Sequence, residues 1–393
     1  HLHYYDLKED QRYILSRIAD AAEEQRPDAI VIAGDIYDRS VPSAEAVSLF
    51  DWFLTRLADI RPAIPVLAIA GNHDSAERLD YASAILGRQH IHVAGMPPAR
   101  EEERMKKVTL QDVYGEVCFY LFPFVKPGYV RPAFPQGQAP EDYDGAVRGL
   151  VEREQIDTSV RNVIVTHQFY TAAGVPPLAA GSESVRVGGL DNVDISALAD
   201  FDYVRPWGHI HRRQQVGEGP AWYCGTPLKY SVSESRDQKT LTIVELKEKG
   251  TPPVRTEIPL EPLHEVREIK GTLEEVLAGA GEEIRQDYVS VTLTDEKALY
   301  EPADQLERIF SRLLQVRLES LRARLNGEEG TQEPDLDLAD PLEVFGQFFE
   351  EMQGRPMDRE EESIMREMFK EGIECSTAAG YVSLRLLCGE RRD

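Results

Sequence analysis

Four short, mostly apolar runs are each followed closely by residue types that bind metals. The runs occupy residues 29–33, 64–70, 162–166 and 201–204. Their length and apolar character predict strands buried on both faces, as in a parallel sheet. Because the carboxyl ends of parallel strands meet at one edge, the side chains that follow the runs are expected to converge there.

Amphipathic segments between these runs predict helices that cover the sheet. Asp6 and Glu9 have capping-box spacing ahead of an apolar helical face at residues 13–18. Ser43 is predicted to cap a second helix, whose apolar face spans residues 47–57. The alternation of strand and helix favours βαβ units with parallel strands and the helices outside.

The pattern changes near residue 261. A capping-box sequence that begins at Thr272, an alternating strand at residues 288–294 and a helix at 303–314 predict a small α+β domain. The predicted divisions are a first domain at 1–260, the α+β domain at 261–326, an acidic linker at 327–340 and a helical segment with a tail at 341–393.

The helical segment contains two amphipathic stretches within residues 341–370. A helix pair this short cannot bury its own apolar faces, so it is expected to dock on another surface. That surface is either a partner protein or the chain's own first domain.

Composition sets broad limits on the class of protein. The chain has 393 residues, 42% of them hydrophobic, and no apolar run long enough to span a bilayer, which predicts a multidomain soluble protein. Four cysteines without C-x-x-C spacing predict neither a zinc site nor a disulfide framework. A reducing cytosol is therefore the expected compartment.

The net charge of -25 opposes nucleic-acid binding unless basic residues cluster locally. Several basic residues lie near the predicted strand ends and are candidates for such a patch, with scattered solvated charges as the alternative. They are Arg39, Lys126, Arg131, Arg186, Arg212, Arg213 and Lys229.

The quartet Gly71-Asn72-His73-Asp74 follows the second strand run directly. An amide oxygen, an imidazole and a carboxylate on one loop can bind a divalent cation and transfer a proton beside it. A plain Asn/Asp turn would explain the quartet alone. Asp35, His167, His209 and His211 follow the other three runs, and this repetition favours a metal site.

Two further histidines have a different setting. His90 and His92 alternate with Ile91 and Val93, which is the spacing of a strand. Surface exposure or packing between strands is therefore predicted for them rather than metal binding.

The blocks GD, GNHD, a lone His after a strand and GHIH together resemble the calcineurin-like metallophosphoesterase superfamily. The blocks GHIHR and YCGTPLKYS, which begin at Gly208 and Tyr223, resemble one branch, the SbcD nuclease subunits. The resemblance implies an α/β fold: a metallophosphoesterase β-sandwich flanked by helices, then a small α+β capping domain and a C-terminal helix pair.

The resemblance also implies roles for these residues. Asp35 would bridge two divalent ions, most suitably Mn²⁺. The other implied ligands are Asn72, His167 and His209 for one ion, and His211 and His1 for the second. The superfamily pattern begins with D-x-H at the end of a first strand, and the Asp of that pattern is missing ahead of His1-Leu2; His3 is the alternative to His1.

His73 is implied to protonate the departing sugar oxygen instead of binding metal, with Asp38 placed to orient it. The alternative is that His73 only orients Asn72 or Asp74 through a hydrogen bond.

The resemblance to this branch implies a DNA exonuclease and endonuclease of the bacterial cytosol, which processes double-strand breaks and hairpins. It would act as a homodimer with an SbcC-type ATPase, whose coiled-coil base would receive the helix pair. Two other classes remain open: a stand-alone phosphodiesterase for small substrates, and a non-catalytic subunit that organises the ATPase. Metal-dependent cleavage of linear duplex DNA separates the first class from the other two.

Overall fold

The computed structural model describes residues 2–178, 192–217, 221–295, 299–319 and the single residue 357. His1, Arg186, the predicted linker and the predicted helix pair lie outside the described residues. The chain divides into two units, His1–Glu319 and Ser320–Asp393, and all the described residues except residue 357 lie in the first.

Helices and strands alternate through most of the first unit. The α-helices are α1 (Lys8–Gln25), α2 (Ala44–Ala58), α3 (Ala76–Asp80), α4 (Ser83–Leu86), α5 (Pro127–Val130), α6 (Tyr143–Glu152), α7 (Leu273–Gly279), α8 (Glu282–Arg285) and α9 (Pro302–Glu307). The strands are β1 (Ile30–Ala33), β2 (Val66–Ile69), β3 (Ile91–Ala94), β4 (Lys106–Asp112), β5 (Gly115–Phe122), β6 (Arg161–Thr166), β7 (Phe169–Thr171), β8 (Asn192–Asp194), β9 (Tyr203–Trp207), β10 (Gln214–Gln215), β11 (Trp222–Tyr223), β12 (Thr240–Glu245), β13 (Val254–Pro259), β14 (Val266–Gly271), β15 (Tyr288–Leu293) and β16 (Arg312–Leu318). Short 3₁₀ turns cover Gly87–Gln89, Arg131–Ala133, Ile195–Leu198 and Val232–Glu234.

The first sheet contains β1, β2 and β3 in parallel, as the βαβ pattern predicts. Its register sets Ala33 beside Ile69 and Ile69 beside Ala94, so the three strands end level. One cluster of apolar side chains joins this sheet to α1 and α2, with Phe53, Leu57 and Val66 at its centre. The loops after β1 and β2 therefore start from a buried edge of the sheet.

The second sheet has six strands in the order β10-β11-β9-β6-β5-β4. Within it, β5, β6 and β9 are parallel. Apolar residues of both sheets share a cluster that includes Leu67, Leu121 and Val165, so the sheets pack together. A separate cluster with Leu150 and Val151 joins α6 to the six-stranded sheet. The predicted mixed α/β class is confirmed.

A third sheet, β14-β15-β16, is also parallel and has its own apolar cluster with α7 and α9. The predicted helix at 303–314 is wrong in its second half, because α9 ends at Glu307 and β16 begins at Arg312. The capping box at Thr272 is confirmed, with both reciprocal hydrogen bonds to Glu275 present. The domain division near residue 260 stays a prediction.

A buried carboxylate connects this third sheet to α1. Asp10 Oδ1 accepts a hydrogen bond from the main-chain N–H of His264 at 3.2 Å, and Oδ2 accepts one from the Tyr288 hydroxyl at 2.9 Å. His264 Nδ1 also lies 3.0 Å from Oδ1. Asp10 of α1 thus contacts both β15 and the segment just ahead of β14.

Two predicted helix starts have different outcomes. Ser43 caps α2 by accepting from Ala46 N, as predicted. The predicted capping box of Asp6 and Glu9 is wrong, because α1 begins at Lys8 with Leu7 at its N-cap and without a side-chain cap. Asp6 instead accepts a hydrogen bond from the Lys8 N–H at 3.0 Å. No helix in the described part of the chain is both long and apolar enough to cross a bilayer.

Candidate metal centre

Residues that follow β1, β2, β6 and β9 come together at the carboxyl ends of these strands. Nε2 of His167 lies 3.1 Å from Oδ2 of Asp35 and 3.1 Å from Oδ1 of Asn72. Nδ1 of His209 lies 3.1 Å from the same Asn72 oxygen. The structure therefore unites Asp35, Asn72, His167 and His209, which are far apart in sequence.

Close packing of main chains holds these loops together. A Cβ added to Gly71 would lie 2.2 Å from Oδ1 of Asp35, and one added to Gly208 would lie 2.0 Å from the main-chain oxygen of Ala33. Asp35 itself has a φ of 48°, in the left-handed region that few residues other than glycine, Asn and Asp adopt. The glycines of the GNHD and GHIH motifs thus permit contacts that a larger residue would prevent.

The orientation of His167 is fixed by its other ring nitrogen. Nδ1 lies 2.7 Å from the main-chain oxygen of Ala33, so this nitrogen carries the proton and donates it. Nε2 consequently faces two oxygen acceptors, those of Asp35 and Asn72. A proton or a cation on Nε2 can satisfy these acceptors, and such a hydrogen-bonded imidazole is the usual form of a metal-binding histidine.

Burial and neighbouring charges shift the pKa values of the side chains in this cluster. Burial alone would raise the pKa of Asp35. The neighbouring His167 and the main-chain N–H of His73 outweigh this effect and lower the pKa to about 2. Burial and the neighbouring His167 lower the pKa of His209 to about 3. Burial lowers the pKa of His167 as well, and the Asp35 carboxylate outweighs this and raises it. An ionised carboxylate and a neutral His209 are the forms that ligate metals.

His73 is exposed and keeps its ring out of this cluster. Its main-chain N–H donates to Oδ1 of Asp35 at 3.0 Å. Its Nδ1 lies 3.1 Å from the main-chain oxygen of Asp38, while the Asp38 carboxylate binds Arg39. The expected contact between Asp38 and His73 is therefore present, through the main chain of Asp38 and not its side chain.

Asp74 has a role that the sequence did not reveal. Its Oδ2 accepts from the N–H groups of Gly71 at 2.8 Å and Ile36 at 3.1 Å, and its Oδ1 accepts from the Tyr37 N–H at 2.9 Å. Burial raises the pKa of this carboxyl. Asp74 thus ties the loop after β2 to the loop after β1. In the sequence, only its place at the end of the GNHD motif pointed to this role of Asp74.

His211 has partners different from those of the other four residues. Its Nδ1 lies 3.7 Å from Oε1 of Glu234, a fully buried carboxylate that also binds Lys239 at 2.6 Å. Burial raises the pKa of Glu234, but His211 and Lys239 lower it to about 2. The sequence did not point to Glu234 or Lys239.

The remaining histidines stay outside the cluster. His90 is exposed and follows a 3₁₀ turn with a φ of 61°, so only His92 lies on the predicted strand. The side chain of His3 is exposed. In the described ranges, no group of three or more His, Cys, Asp or Glu side chains is arranged to hold a metal ion by itself. The four-residue cluster is joined through the amide oxygen of Asn72.

The candidate basic residues separate into two groups. Arg39, Arg212, Arg213 and Lys229 form ion pairs with acidic side chains. Lys126 and Arg131 are exposed, and no ion pair is found for them among the described residues.

Lys126 Nζ lies 6.0 Å from the Phe124 ring centre and 5.6 Å from that of Tyr129. The Phe124 ring in turn stacks on His209 at 6.4 Å.

Two family models and two nuclease subunits match this chain in sequence. Residues 1–168 match the family model of calcineurin-like phosphoesterases, and residues 262–353 match a model described as the type 5 capsule protein repressor C-terminal domain. The SbcD subunit of the SbcCD nuclease from Staphylococcus saprophyticus subsp. saprophyticus is 31% identical over 314 residues, which cover 78% of each chain. The corresponding SbcD subunit from Staphylococcus epidermidis is 29% identical over 314 residues, 78% of this chain and 79% of its own.

The cluster at the strand ends and the match over residues 1–168 define a calcineurin-like phosphoesterase, a class of enzyme that uses divalent metal ions. The identity of 31% over most of both chains is more specific. The chain belongs to the SbcD family of nuclease subunits.

Proposed function

We propose that this chain hydrolyses DNA phosphodiester bonds at a site for two divalent ions, most suitably Mn²⁺. The convergence of Asp35, Asn72, His167 and His209 is the observation that carries this proposal. Their carboxylate, amide and imidazole donors fit such ions. Bound divalent ions would supply an activated water and stabilise charge on the phosphoryl group.

Asp35 is the proposed bridging ligand. Its Oδ2 faces His167, and its Oδ1 accepts from the His73 N–H, so both oxygens are held in place. The first metal position is completed by Asn72, His167 and His209. The second metal position would take ligands from His211 and His1. His1 lies outside the described residues. Its neighbour Leu2 packs in the same cluster as Tyr230, whose ring centre is 5.9 Å from that of His211.

A cavity adjoins the proposed second metal position. This cavity of about 1730 Å³ is lined by β1, β12 and α1, and also by Asp35 and His211. Among the described strands, β1 pairs only with β2 and β12 only with β13. The cavity therefore has room for further groups beside Asp35 and His211.

His73 is the proposed general acid. Its main chain is fixed by Asp35 and its Nδ1 by the Asp38 carbonyl, which leaves Nε2 for the leaving oxygen. Positioned proton transfer of this kind contributes about 10²- to 10⁴-fold to a rate. The exposure of His73 suits a group that must meet a large substrate.

A nucleic-acid strand is the proposed substrate, and Lys126 and Tyr129 support it. Tyr129 is 68% exposed, and the Lys126 ammonium lies beside its ring. Lys126 also lies beside Phe124, whose ring stacks on His209. An exposed ring and a cation together suit a base and its phosphate, as in proteins that bind single strands.

The relatives are named as subunits of SbcCD, which supports an SbcC-type ATPase as the partner of this chain. We place the contact on the helix pair at 341–370, outside the described residues. Residues 261–326 would cap the catalytic domain at 1–260 and help to bind DNA ends and hairpins. A homodimer in the bacterial cytosol completes the proposal.

Cleavage assays on the full chain test this proposal directly. Mn²⁺-dependent cleavage of linear duplex and single-stranded DNA is expected, with no cleavage in chelator. Hydrolysis of a small phosphodiester without DNA cleavage would favour a stand-alone phosphodiesterase. Absence of both activities in a folded protein that still binds its ATPase would favour a non-catalytic subunit.

A further inference from the structure

The block YCGTPLKYS packs against the main chain of His211. The Thr226 N–H donates to the main-chain oxygen of His211 at 3.1 Å. A Cβ added to Gly225 would lie 2.9 Å from the same oxygen, and Gly225 has a φ of 76°. Both the close approach and the left-handed conformation require glycine here. The block therefore sets the position of the GHIH loop.

Lys239 binds the same main-chain oxygen from the interior. Its ammonium donates to His211 O at 2.9 Å, to Thr226 Oγ1 at 3.0 Å and to Glu234 Oε2 at 2.6 Å. These contacts use all three of its N–H groups, and the residue is only 7% exposed. Lys239 is thus a buried cation with every donor satisfied.

Glu234 holds the other side of His211. It is fully buried, its Oε1 accepts from the Tyr230 N–H at 3.2 Å, and the same oxygen lies 3.7 Å from His211 Nδ1. A buried ion pair is costly unless its partners are well placed, and removal of one partner leaves an unpaired charge. The pair of Glu234 and Lys239 contacts both the ring and the main chain of one proposed metal ligand.

We propose that Glu234 and Lys239 are positioning residues that fix His211 as a ligand of the second divalent ion. This inference rests on the two-ion function proposed above. Glu234 Oε1 faces Nδ1 from 3.7 Å, and a carboxylate beside one ring nitrogen favours the use of the other nitrogen, Nε2, as the metal ligand. The block YCGTPLKYS, which contacts the His211 main chain through Gly225 and Thr226, then helps to hold this ligand.

Manganese titration of the full-length protein, followed by electron paramagnetic resonance, tests this inference. Glu234→Gln should weaken binding of the second ion by about 10- to 100-fold and leave the first unchanged. The Mn²⁺ concentration for half-maximal DNA cleavage should rise by the same factor. Asp237→Asn is the matched control, because Asp237 lies in the same segment and binds Arg212 instead of His211.

Glu234→Gln should add nothing in a His211→Ala background, because both changes act through the same ligand. Glu234→Asp keeps the negative charge beside Lys239 and moves the carboxylate away from His211. If Glu234→Gln does not fold, the binding of the second ion by Glu234→Asp tests the inference instead. Unchanged binding of the second ion in a folded Glu234 variant would overturn the inference. Failure of the wild type to bind two ions would instead contradict the proposed function.

Discussion

Nε2 of His167 lies 3.1 Å from Oδ1 of Asn72, although the two residues follow strands of different sheets. An amide oxygen only accepts hydrogen bonds, and Nδ1 of the imidazole already holds a proton for the Ala33 carbonyl. The contact therefore requires a proton or a cation on Nε2. Under the proposed function, His167 Nε2 and Asn72 Oδ1 would both ligate one divalent ion.

His73→Ser should keep both ions and lower the rate of DNA cleavage by about 10²- to 10⁴-fold. The change removes the proposed proton donor but keeps the main-chain N–H that binds Asp35. Single-turnover cleavage and metal content measured on the same preparation check this. Near-normal cleavage would restrict His73 to an orienting role.

Asp74→Ala should lower the free energy of unfolding by about 2 to 4 kcal/mol, since three N–H groups lose a charged acceptor. It should also weaken manganese binding, because the loops after β1 and β2 would separate. Urea unfolding and a manganese titration measure the two effects. Asp20→Ala, which loses only an exposed ion pair, is the control and should change the stability by less than about 1 kcal/mol. Equal stability of the two variants would contradict the role given to Asp74.

Lys126→Ala should weaken binding of single-stranded DNA and reduce the salt dependence of binding by about 0.7 in log K against log salt for one lost phosphate contact. Fluorescence anisotropy at several salt concentrations measures both quantities. Arg56→Ala removes an exposed cation from α2 that is paired with Asp20, and should leave them unchanged. An unchanged salt slope in Lys126→Ala would place the DNA elsewhere.

Phe345→Ala with Phe349→Ala should abolish co-purification with the ATPase and leave Mn²⁺-dependent cleavage of single-stranded DNA nearly intact. Burial of each Phe stabilises a complex by about 1.5 to 3 kcal/mol, so the pair is worth about two to four powers of ten in affinity. Glu343→Ala with Gln347→Ala is the control, because these residues would lie on the opposite face of the helix that the sequence predicts. Loss of both partner binding and cleavage would assign the helices to the catalytic core.

Features that depend on neighbouring residues were predictable from the sequence. The strands ahead of Asp35, Asn72 and His167, the N-cap at Ser43 and the capping box at Thr272 are all of this kind. Each depends on a short apolar run or on a side chain close to a helix start.

Features that depend on distant contacts were not predictable. The start of α1 follows the burial of Leu7 beside Val266, and not the local capping sequence. The apolar residues near Leu314 fit a helix or a strand, and pairing with β15 selects the strand. Asp74, Glu234 and Lys239 act through partners that only the folded chain brings together.

The metal content of Asp35→Ala compared with that of the wild type tests the central claim most directly. The full-length wild type should bind two manganese ions per chain, and the variant should bind neither, because Asp35 is the only proposed bridge. Ala in the left-handed conformation of residue 35 costs about 1 to 2 kcal/mol, so circular dichroism should show a folded variant. Two manganese ions bound to a folded Asp35→Ala protein would contradict the account.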